Sequence, residues 1–440
     1  MGYTENFKFR LLMILEAFFA GFYTSLTKGL FVVYLVSVQQ KVNEISFIVF
    51  LSAVASLITG ISIYKNPRFV PERLKVKLLA FHTLERAMWL LMPFARNTLH
   101  ISLLYVFHVI FSSLVSIFLT FIIYSELTED HVRKITAERS AANGVSSIMG
   151  YAVGVFLLAF LPDGREFDFI FPLGSAIGFI STFLLLFLSL SDLERHYFPP
   201  VITQPEKLFS TSLFFVTLTA SSNFMGIIWT PYLMNCLNAP DFLTASMSLM
   251  GTLSSIIASL FWRNKSFRSL RLGLALNAAG PIIVWITPWP LLHPAINAYT
   301  SFTFAGANFL GIFLFARYKE IFGAVRSGIL LTILGNSAQI ISSILGYAVD
   351  GNFMLAFLIT MLIKVTATIL ALSLIPEVSV VPEDAARTYS QLLYSQSLAG
   401  YRMSVEFSRE TLLTIFRILS LLVVIATLYI IYRSLWIVIH

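Results

Sequence analysis

The chain has 440 residues, of which 57% are hydrophobic and only 12% are charged, so it has too few polar side chains to cover a water-soluble globule. Its 41 Phe exclude a disordered protein, and its single cysteine, Cys236, excludes a disulfide framework, a cysteine-built zinc site and an iron–sulfur cluster. The net charge of +7 comes from short Lys and Arg clusters between apolar runs, which is typical of a polytopic membrane protein rather than of a nucleic-acid-binding protein.

Apolar segments long enough to cross a bilayer follow one another along the chain; a helix needs about 20 residues to do so. They lie at 11–36, 44–63, 78–95, 99–124, 141–161, 168–190, 209–234, 243–262, 272–288, 293–316, 327–348 and 353–375, with a thirteenth at 411–432. The first is too long for a signal-peptide core and is followed by no small-residue cleavage site, so we expect it to be retained. The predicted fold class is an all-α polytopic membrane protein.

The basic residues orient these spans. Most of the 30 Lys and Arg fall on the side of the N-terminus, and only Lys41, Arg96 and Arg165 fall in the segments on the other side. Cytoplasmic loops carry the excess of Lys and Arg. We therefore predict a multi-pass protein of the cell membrane with a cytoplasmic N-terminus and an extracellular C-terminus.

Two sets of landmarks recur in the same order along the chain. Tyr34 and Tyr232 are each followed 31 residues later by a basic residue, and Arg139 and Arg326 each precede an Asp-Gly pair by 24 residues. Chance similarity between apolar segments would explain either match alone, but the two together favour a duplication. Since six spans separate equivalent positions, the two repeats are parallel.

With twelve spans, a parallel repeat and an N-terminus inside, the chain resembles the major facilitator superfamily of secondary transporters over residues 8–377. The matching motifs are Arg139 with Gly144, Gly150 and Gly154 in the fifth span, Arg326 with Gly335 and Gly346 in the eleventh, and Pro376-Glu377 after the twelfth. The resemblance implies a six-helix bundle at 1–195, a cytoplasmic linker at 196–208 and a second bundle at 209–376. The family's Asp is missing from the stretch between Gly60 and Lys77, and its Arg is missing from the fourth span, which argues against proton-driven antiport.

Polar side chains that share one face of a span are candidates for a transport pathway, because such a face is disfavoured against lipid. These candidates are Glu16, Tyr23, Thr27, Lys28, His108, Asn143, Asn297, Asn308, Asn336 and Gln339. The alternative for the neutral ones is bonding to backbone or to a neighbouring helix. Glu16 either carries a proton or reaches water or Arg10, and Lys28 either snorkels to the outer headgroups or meets an anionic solute.

Charged residues also occur deep in two other spans. His82, Glu85 and Arg86 are three and four residues apart in the third span, so they can touch, either as a neutralised packing network or as a proton or gating device. Lys364 lies at the centre of the twelfth span with no acidic residue at a comparable depth in the second half, and the sequence offers no account of it.

The motifs of several enzyme classes are absent. The chain has no GxxxxGK[ST], HExxH or GxGxxG sequence and no His and carboxylate pairs at metal spacing, so we expect no enzyme activity, cofactor or metal. Residues 377–410 form a cytoplasmic amphipathic segment, and 411–440 hold the extra transmembrane helix. This extension either docks a protein partner or is a lineage-specific addition.

The sequence therefore predicts a secondary active transporter that moves a small organic solute by alternating access. An interior rich in Tyr, Ser, Asn and Gln favours a neutral or weakly charged solute, bound near the midplane between the halves. The alternative is a non-transporting membrane partner or assembly subunit derived from a transporter fold, because the loop motif is degraded and the C-terminus is extended.

Overall fold

The apolar segments fold as helices in a computed structural model, which describes residues 3–374 except 96, 127–128, 163, 191–192, 194–207, 263–264, 266 and 323. The first half contains α1 (Tyr3–Leu26), α2 (Phe31–Ser37), α3 (Val42–Lys65), α4 (Leu74–Leu91), α5 (Thr98–Glu126), α6 (Glu129–Phe160) and α7 (Glu166–Leu185). The second half contains α8 (Leu208–Pro231), α9 (Asp241–Trp262), α10 (Phe267–Ile286), α11 (His293–Phe322), α12 (Ala324–Val349) and α13 (Phe353–Leu374). No strand occurs within the described ranges.

Ten segments of the described chain are long and apolar enough to span a membrane, with α1 and α2 counted as one segment. Two further helices, α4 and α11, pack alongside them and complete the twelve predicted spans up to residue 374. The predicted all-α membrane fold is thus confirmed. The thirteenth helix at 411–440, the amphipathic segment at 377–410 and nearly all of the linker at 196–208 lie outside the described residues.

The helix ends follow local side-chain chemistry. Asn97 and Asn352 accept hydrogen bonds from the backbone N–H groups of His100 and Leu355, at 2.8 Å and 3.1 Å, so each satisfies a free donor at the start of α5 or α13. Gly351 ends the turn before α13 with φ of +82°, a backbone conformation that favours glycine.

The first span, predicted at 11–36, is present at Phe7–Ser37 but is broken by a turn. α1 ends at Leu26, Thr27 takes φ −107° and ψ −92°, and a 3₁₀ turn from Lys28 to Leu30 leads into α2. The hydroxyl of Thr27 donates to the carbonyl of Tyr23 at 2.7 Å. Gly29 lies against the ring of Tyr151 on α6, where an added Cβ would be 2.7 Å from the ring carbon Cε1, so the break brings the chain close to α6.

The helix contacts fall into two equivalent sets. In the first half α1 packs against α6 and α7, α3 against α5, and α4 against α5 and α7. In the second half α8 packs against α12 and α13, α9 against α11, and α10 against α11 and α13. The two patterns are the same when the six spans of each half are taken in order, as the parallel repeat requires. The domain boundaries at 195 and 209 stay predictions.

One aromatic cluster recurs at equivalent positions of the two halves. In each half, a tyrosine near the end of the first span packs against two phenylalanines of the sixth span. The two phenylalanines are four residues apart and lie on α7 in the first half and on α13 in the second. The ring centroid distances are 5.2 and 5.1 Å from Tyr34 to Phe167 and Phe171, and 5.6 and 5.0 Å from Tyr232 to Phe353 and Phe357. The landmark tyrosines of the sequence repeat thus have the same partners in space.

Among the described residues, the largest apolar core that the two halves share lies at one end of the bundle. At the end that contains α2, a single buried cluster joins first-half residues such as Leu35 and Ile48 to second-half residues such as Phe224 and Ile228. At the opposite end, the described residues form a first-half cluster that also includes Ile329 and Ile333 of the second half, and a second cluster built of second-half residues. The closed end is the one that the basic residues predict to be extracellular.

Candidate functional site

Two adjoining cavities lie in the interior of the bundle. The charged cavity, of about 480 Å³, is walled by α1, α4, α5 and α6 of the first half and contains Glu16, Glu85, Arg86, Arg139 and Asn143. The central cavity, of about 360 Å³, has walls from both halves. Ser112 and Ser116 of α5 line both, so the two cavities meet along this helix.

An ion pair between α1 and α6 lies in the charged cavity. Arg139 places Nη1 2.8 Å from Oε2 of Glu16, and the same nitrogen donates to the carbonyl of Met13 at 2.7 Å. Glu16 is 1% exposed, so its charge is neutralised by Arg139 rather than by bulk water. Arg10 instead pairs with Glu138, which corrects the predicted alternative in which Glu16 reaches Arg10.

His82 of α4 extends this ion pair toward α7. Its Nε2 lies 3.7 Å from Oε1 of Glu16, and its Nδ1 lies 2.7 Å from the hydroxyl of Thr182. The imidazole is fully buried. Through these contacts α1, α4, α6 and α7 are joined by one polar network.

Glu85 and Arg86 form a second ion pair, and both line the charged cavity. Arg86 also donates to the carbonyls of His82 and Gly178, at 3.2 and 3.4 Å, and stacks over the ring of Tyr23 at 4.8 Å. Arg86 thus contacts both of the residues with which the sequence grouped it. It pairs with the side chain of Glu85, and it donates to the backbone carbonyl of His82 rather than to its imidazole. The pair belongs to the cavity wall and not to a peripheral packing network alone.

Gly178 of α7 makes room for the side chain of Arg86. A Cβ at this position would lie 2.9 Å from Cγ of Arg86 and 2.9 Å from Cδ2 of Tyr23, closer than carbon atoms pack. Gly178 therefore permits a guanidinium to lie between α4 and α7, where it meets both the ring of Tyr23 and the Ser181 hydroxyl at 3.3 Å.

The central cavity is polar on both sides. Its first-half wall includes Lys28 and Tyr105, and its second-half wall includes Asn223, Asn336 and Gln339. The amide nitrogen of Asn336 donates to the hydroxyl of Ser56 on α3 at 2.8 Å, which is a direct hydrogen bond between the halves. Lys28 is the charged residue among those described that line this cavity.

The structure brings six of the ten pathway candidates to the cavity walls. Glu16, Tyr23 and Asn143 line the charged cavity, and Lys28, Asn336 and Gln339 line the central one. Thr27, His108, Asn297 and Asn308 line neither.

Three of the four remaining candidates have packing roles. Thr27 bonds its own helix, as noted above, and His108 accepts a hydrogen bond from the indole N–H of Trp89 at 3.1 Å. The amide of Asn297 donates to the carbonyl of Met247 at 2.6 Å and joins α11 to α9. Asn308 is half-buried on α11, outside both cavity walls. These positions follow the alternative that polar residues in membrane helices hold helices together.

The sequence candidates omitted Arg139, Thr219 and Asn223. Arg139 was recognised only as a motif residue, and its partner Glu16 lies 123 positions away, so no local pattern links them. Thr219 and Asn223 are four residues apart on α8 and both face the central cavity. The helical periodicity that identified the other stripes would have found this pair.

Lys364 is buried in the second half, with 4% of its surface exposed. Its Nζ lies 3.9 Å from the position that a Cβ on Gly280 of α10 would take, so the amine is in the gap between α13 and α10. Within the described part of the chain no ion pair to Lys364 occurs. The prediction that no acid of the second half lies at its depth is consistent with this position.

Comparison with solved structures identifies the fold. A mutant form of the nucleoside transporter NupG aligns with 84% of this chain and 100% of its own, at a TM-score of 0.63 and 13% identity. A D-xylose-proton symporter aligns with 84% of this chain and 98% of its own, at a TM-score of 0.62 and 14% identity. No protein-family model matches the chain, and no curated protein does. The chain thus has the fold of the major facilitator transporters, as the sequence motifs predict.

Proposed function

We propose that the protein is a secondary active transporter, which moves a small organic solute across the cell membrane by alternating access of its two halves. The observation that carries this proposal is the position of the central cavity. Lys28, Ser52 and Tyr105 of the first half face Asn223 and Gln339 of the second half across it. A rotation of one half against the other would change the side to which such a cavity opens.

The arrangement of the apolar clusters supports the same mechanism. Among the described residues, the halves share a large buried cluster at the predicted extracellular end, whereas at the other end Ile329 and Ile333 are the second-half residues that join the first-half cluster. A solute in the central cavity would therefore be released toward the predicted cytoplasm. The cytoplasmic N-terminus is part of the proposal and rests on the distribution of Lys and Arg.

Each half is bonded internally in a way that suits movement as a unit. In the first half, the network of Glu16, Arg139 and His82 joins four helices. In the second half, Asn297 joins α11 to α9, and Asn277 of α10 donates to the carbonyl of Thr300 on α11 at 3.3 Å. Such bonds within each half favour movement of a half as one body, which is what rigid-body rocking requires.

The cavity dimensions indicate the size of the solute. A volume of about 360 Å³ is at the lower end of the range of small-molecule sites, which is about 300–1,000 Å³. The solved structures of similar fold carry nucleosides or D-xylose by their names. We extend to this chain only their size class, a solute comparable to a pentose or a nucleoside.

A disulfide across the closed end provides the test. Ser46 of α3 and Gly346 of α12 belong to opposite halves, and a Cβ on Gly346 would lie 3.3 Å from Cβ of Ser46. This separation is close to the roughly 3.5–4.5 Å of a disulfide. We would introduce Ser46→Cys and Gly346→Cys together into a Cys236→Ser background, reconstitute the protein into liposomes and measure uptake of a labelled solute panel.

We expect the reduced double variant to take up one class of solute, and the oxidised variant to lose that uptake until it is reduced again. Uptake that survives complete cross-linking would contradict alternating access. If the reduced variant and the unsubstituted protein both match empty liposomes for every solute, the non-transporting assembly subunit becomes the better account.

A further inference from the structure

The walls of the central cavity have an unbalanced positive charge. Lys28 is the only charged residue among the described residues that line this cavity. The sequence left open whether Lys28 snorkels to the outer headgroups. The structure places Lys28 in the wall of the cavity between the halves instead.

The adjoining charged cavity does not supply the missing negative charge. Glu16 is paired with Arg139 at 2.8 Å, and Glu85 is paired with Arg86 and also attracts the amine of Lys28. Each of these carboxylates is therefore already balanced by a guanidinium. The walls of the two cavities carry two carboxylates, two guanidiniums and the amine of Lys28. With all five groups ionised, their net charge is that of one cation.

The remainder of the central cavity offers neutral hydrogen-bonding groups. The phenol of Tyr105 and the amides of Asn223 and Gln339 surround the space beside Lys28. Amides and phenols both donate and accept hydrogen bonds, so they suit the hydroxyl, carbonyl and amide groups of an uncharged solute body. A polar body with one anionic group would match both parts of this wall.

We propose that the transported solute is an organic anion with a single carboxylate or phosphate group, which binds the amine of Lys28 while the polar body of the solute lies between Tyr105, Asn223 and Gln339. This inference rests on the proposed transport function and narrows it. It narrows the neutral or weakly charged solute that the composition of the interior favoured to one with a single anionic group, because composition does not show which charges are already paired.

Matched pairs of compounds provide the test. We would titrate the detergent-purified, full-length protein with glucose against gluconate and glucose 6-phosphate, and with uridine against uridine 5′-phosphate, and follow the thermal midpoint. The variants are Lys28→Gln, which removes the charge, and Lys28→Arg, which keeps it. Lys65→Gln at the exposed end of α3 is the matched control.

We expect an anionic compound to raise the midpoint and its neutral partner to leave it unchanged. Lys28→Gln should weaken anion binding about 10- to 100-fold, as expected when a charge-assisted hydrogen bond is lost. Lys28→Arg should retain most of the affinity, and Lys65→Gln all of it. The midpoint of each variant without ligand shows that the variant is folded.

Two results would overturn the anion proposal and leave transport intact: a neutral compound that binds with the same affinity to Lys28→Gln, or anion binding that Lys28→Gln leaves unchanged. An absence of binding by every anion in the panel also overturns it. Combined with liposome uptake at the level of empty liposomes for every solute, that last result overturns the proposed function as well.

Discussion

The two halves share one fold, but their interiors differ in charge. In the first half, a cation lies between α4 and α7, which are the third and sixth spans. This cation is Arg86 of α4, whose side chain extends over Gly178 of α7. In the second half, the equivalent gap lies between α10 and α13. Its cation belongs to the sixth span rather than to the third, because Lys364 of α13 lies beside Gly280 of α10. Gly178 follows Phe171 by the same seven residues by which Lys364 follows Phe357, so glycine and lysine occupy equivalent positions.

The partners of these two cations differ as well. Arg86 is paired with Glu85, whereas within the described residues Lys364 has no acidic partner. The first half therefore places paired charges next to the central cavity, and the second half contributes neutral amides to its wall. Duplication preserved the helix packing, while the electrostatics of the two interiors diverged.

The largest effect should come from breaking the buried pair of the first half. Arg139→Gln leaves Glu16, which is 1% exposed, without its counter-charge, so we expect the free energy of unfolding to fall by about 3 kcal/mol. Denaturation in mixed detergent micelles measures this loss. Arg10→Gln is the control, because the side chains of Arg10 and Glu138 are 38% and 27% exposed and such a pair contributes at most about 1 kcal/mol.

Adding Glu16→Gln to Arg139→Gln should recover much of the stability, since the double variant buries no uncompensated carboxylate. If Arg10→Gln and Arg139→Gln lower the free energy of unfolding equally, the buried pair contributes no more to stability than the exposed pair.

The second prediction contrasts the two cations directly. Lys364→Met removes a buried charge without unpairing an acid among the described residues, so we expect stability to rise by about 1–2 kcal/mol. Arg86→Met leaves Glu85 unpaired and should lower stability instead. The same denaturation experiment measures both, and a loss of stability in Lys364→Met would mean that the halves do not differ as described.

The third prediction concerns the glycine beneath Arg86. Gly178→Ala places a Cβ 2.9 Å from both Arg86 and Tyr23, so we expect a loss of about 1–3 kcal/mol from overpacking. Gly226→Ala on α8 is the matched control, because its Cβ would meet no atom within 4 Å. Similar losses for both variants would point to glycine in general rather than to the space that Arg86 needs.

The smallest effect on stability should come from the wall of the central cavity. Gln339→Ala should weaken solute binding by about tenfold through loss of one hydrogen bond, while the unfolding midpoint without ligand stays nearly unchanged. Asn297→Ala should do the reverse, since its amide bonds Met247 outside both cavities. Titration of each variant with the solute identified by uptake distinguishes the two roles.

The sequence predicts the fold well because spans and repeats are local or periodic properties. The apolar runs located the helices, and the spacing after Tyr34 and Tyr232 revealed the duplication that the aromatic clusters show in space. The sequence does not reveal the break at Thr27, because no proline interrupts the run and the ring of Tyr151, against which Gly29 lies, belongs to a distant helix.

The site is less predictable, because pairing between distant residues leaves no local pattern. Helical periodicity placed Glu16 on the inward face of α1, but it could not show that Arg139 of α6 neutralises it. Helical periodicity also could not distinguish Asn297 from Asn336. The first bonds a neighbouring helix, and the second faces the central cavity. Which polar group lines a cavity depends on helix rotation relative to neighbours, and a single span does not fix that rotation.

Paired spin-label distances test the central claim most directly. In a Cys236→Ser background, cysteines at Lys65 and Lys265 mark the open end of the two halves, and cysteines at Asn97 and Leu291 mark the closed end; all four side chains are exposed. We predict that a bound solute shortens the first distance and lengthens the second in the same sample. If both distances stay fixed with every solute that binds, or if both change in the same direction, the halves do not alternate around the central cavity.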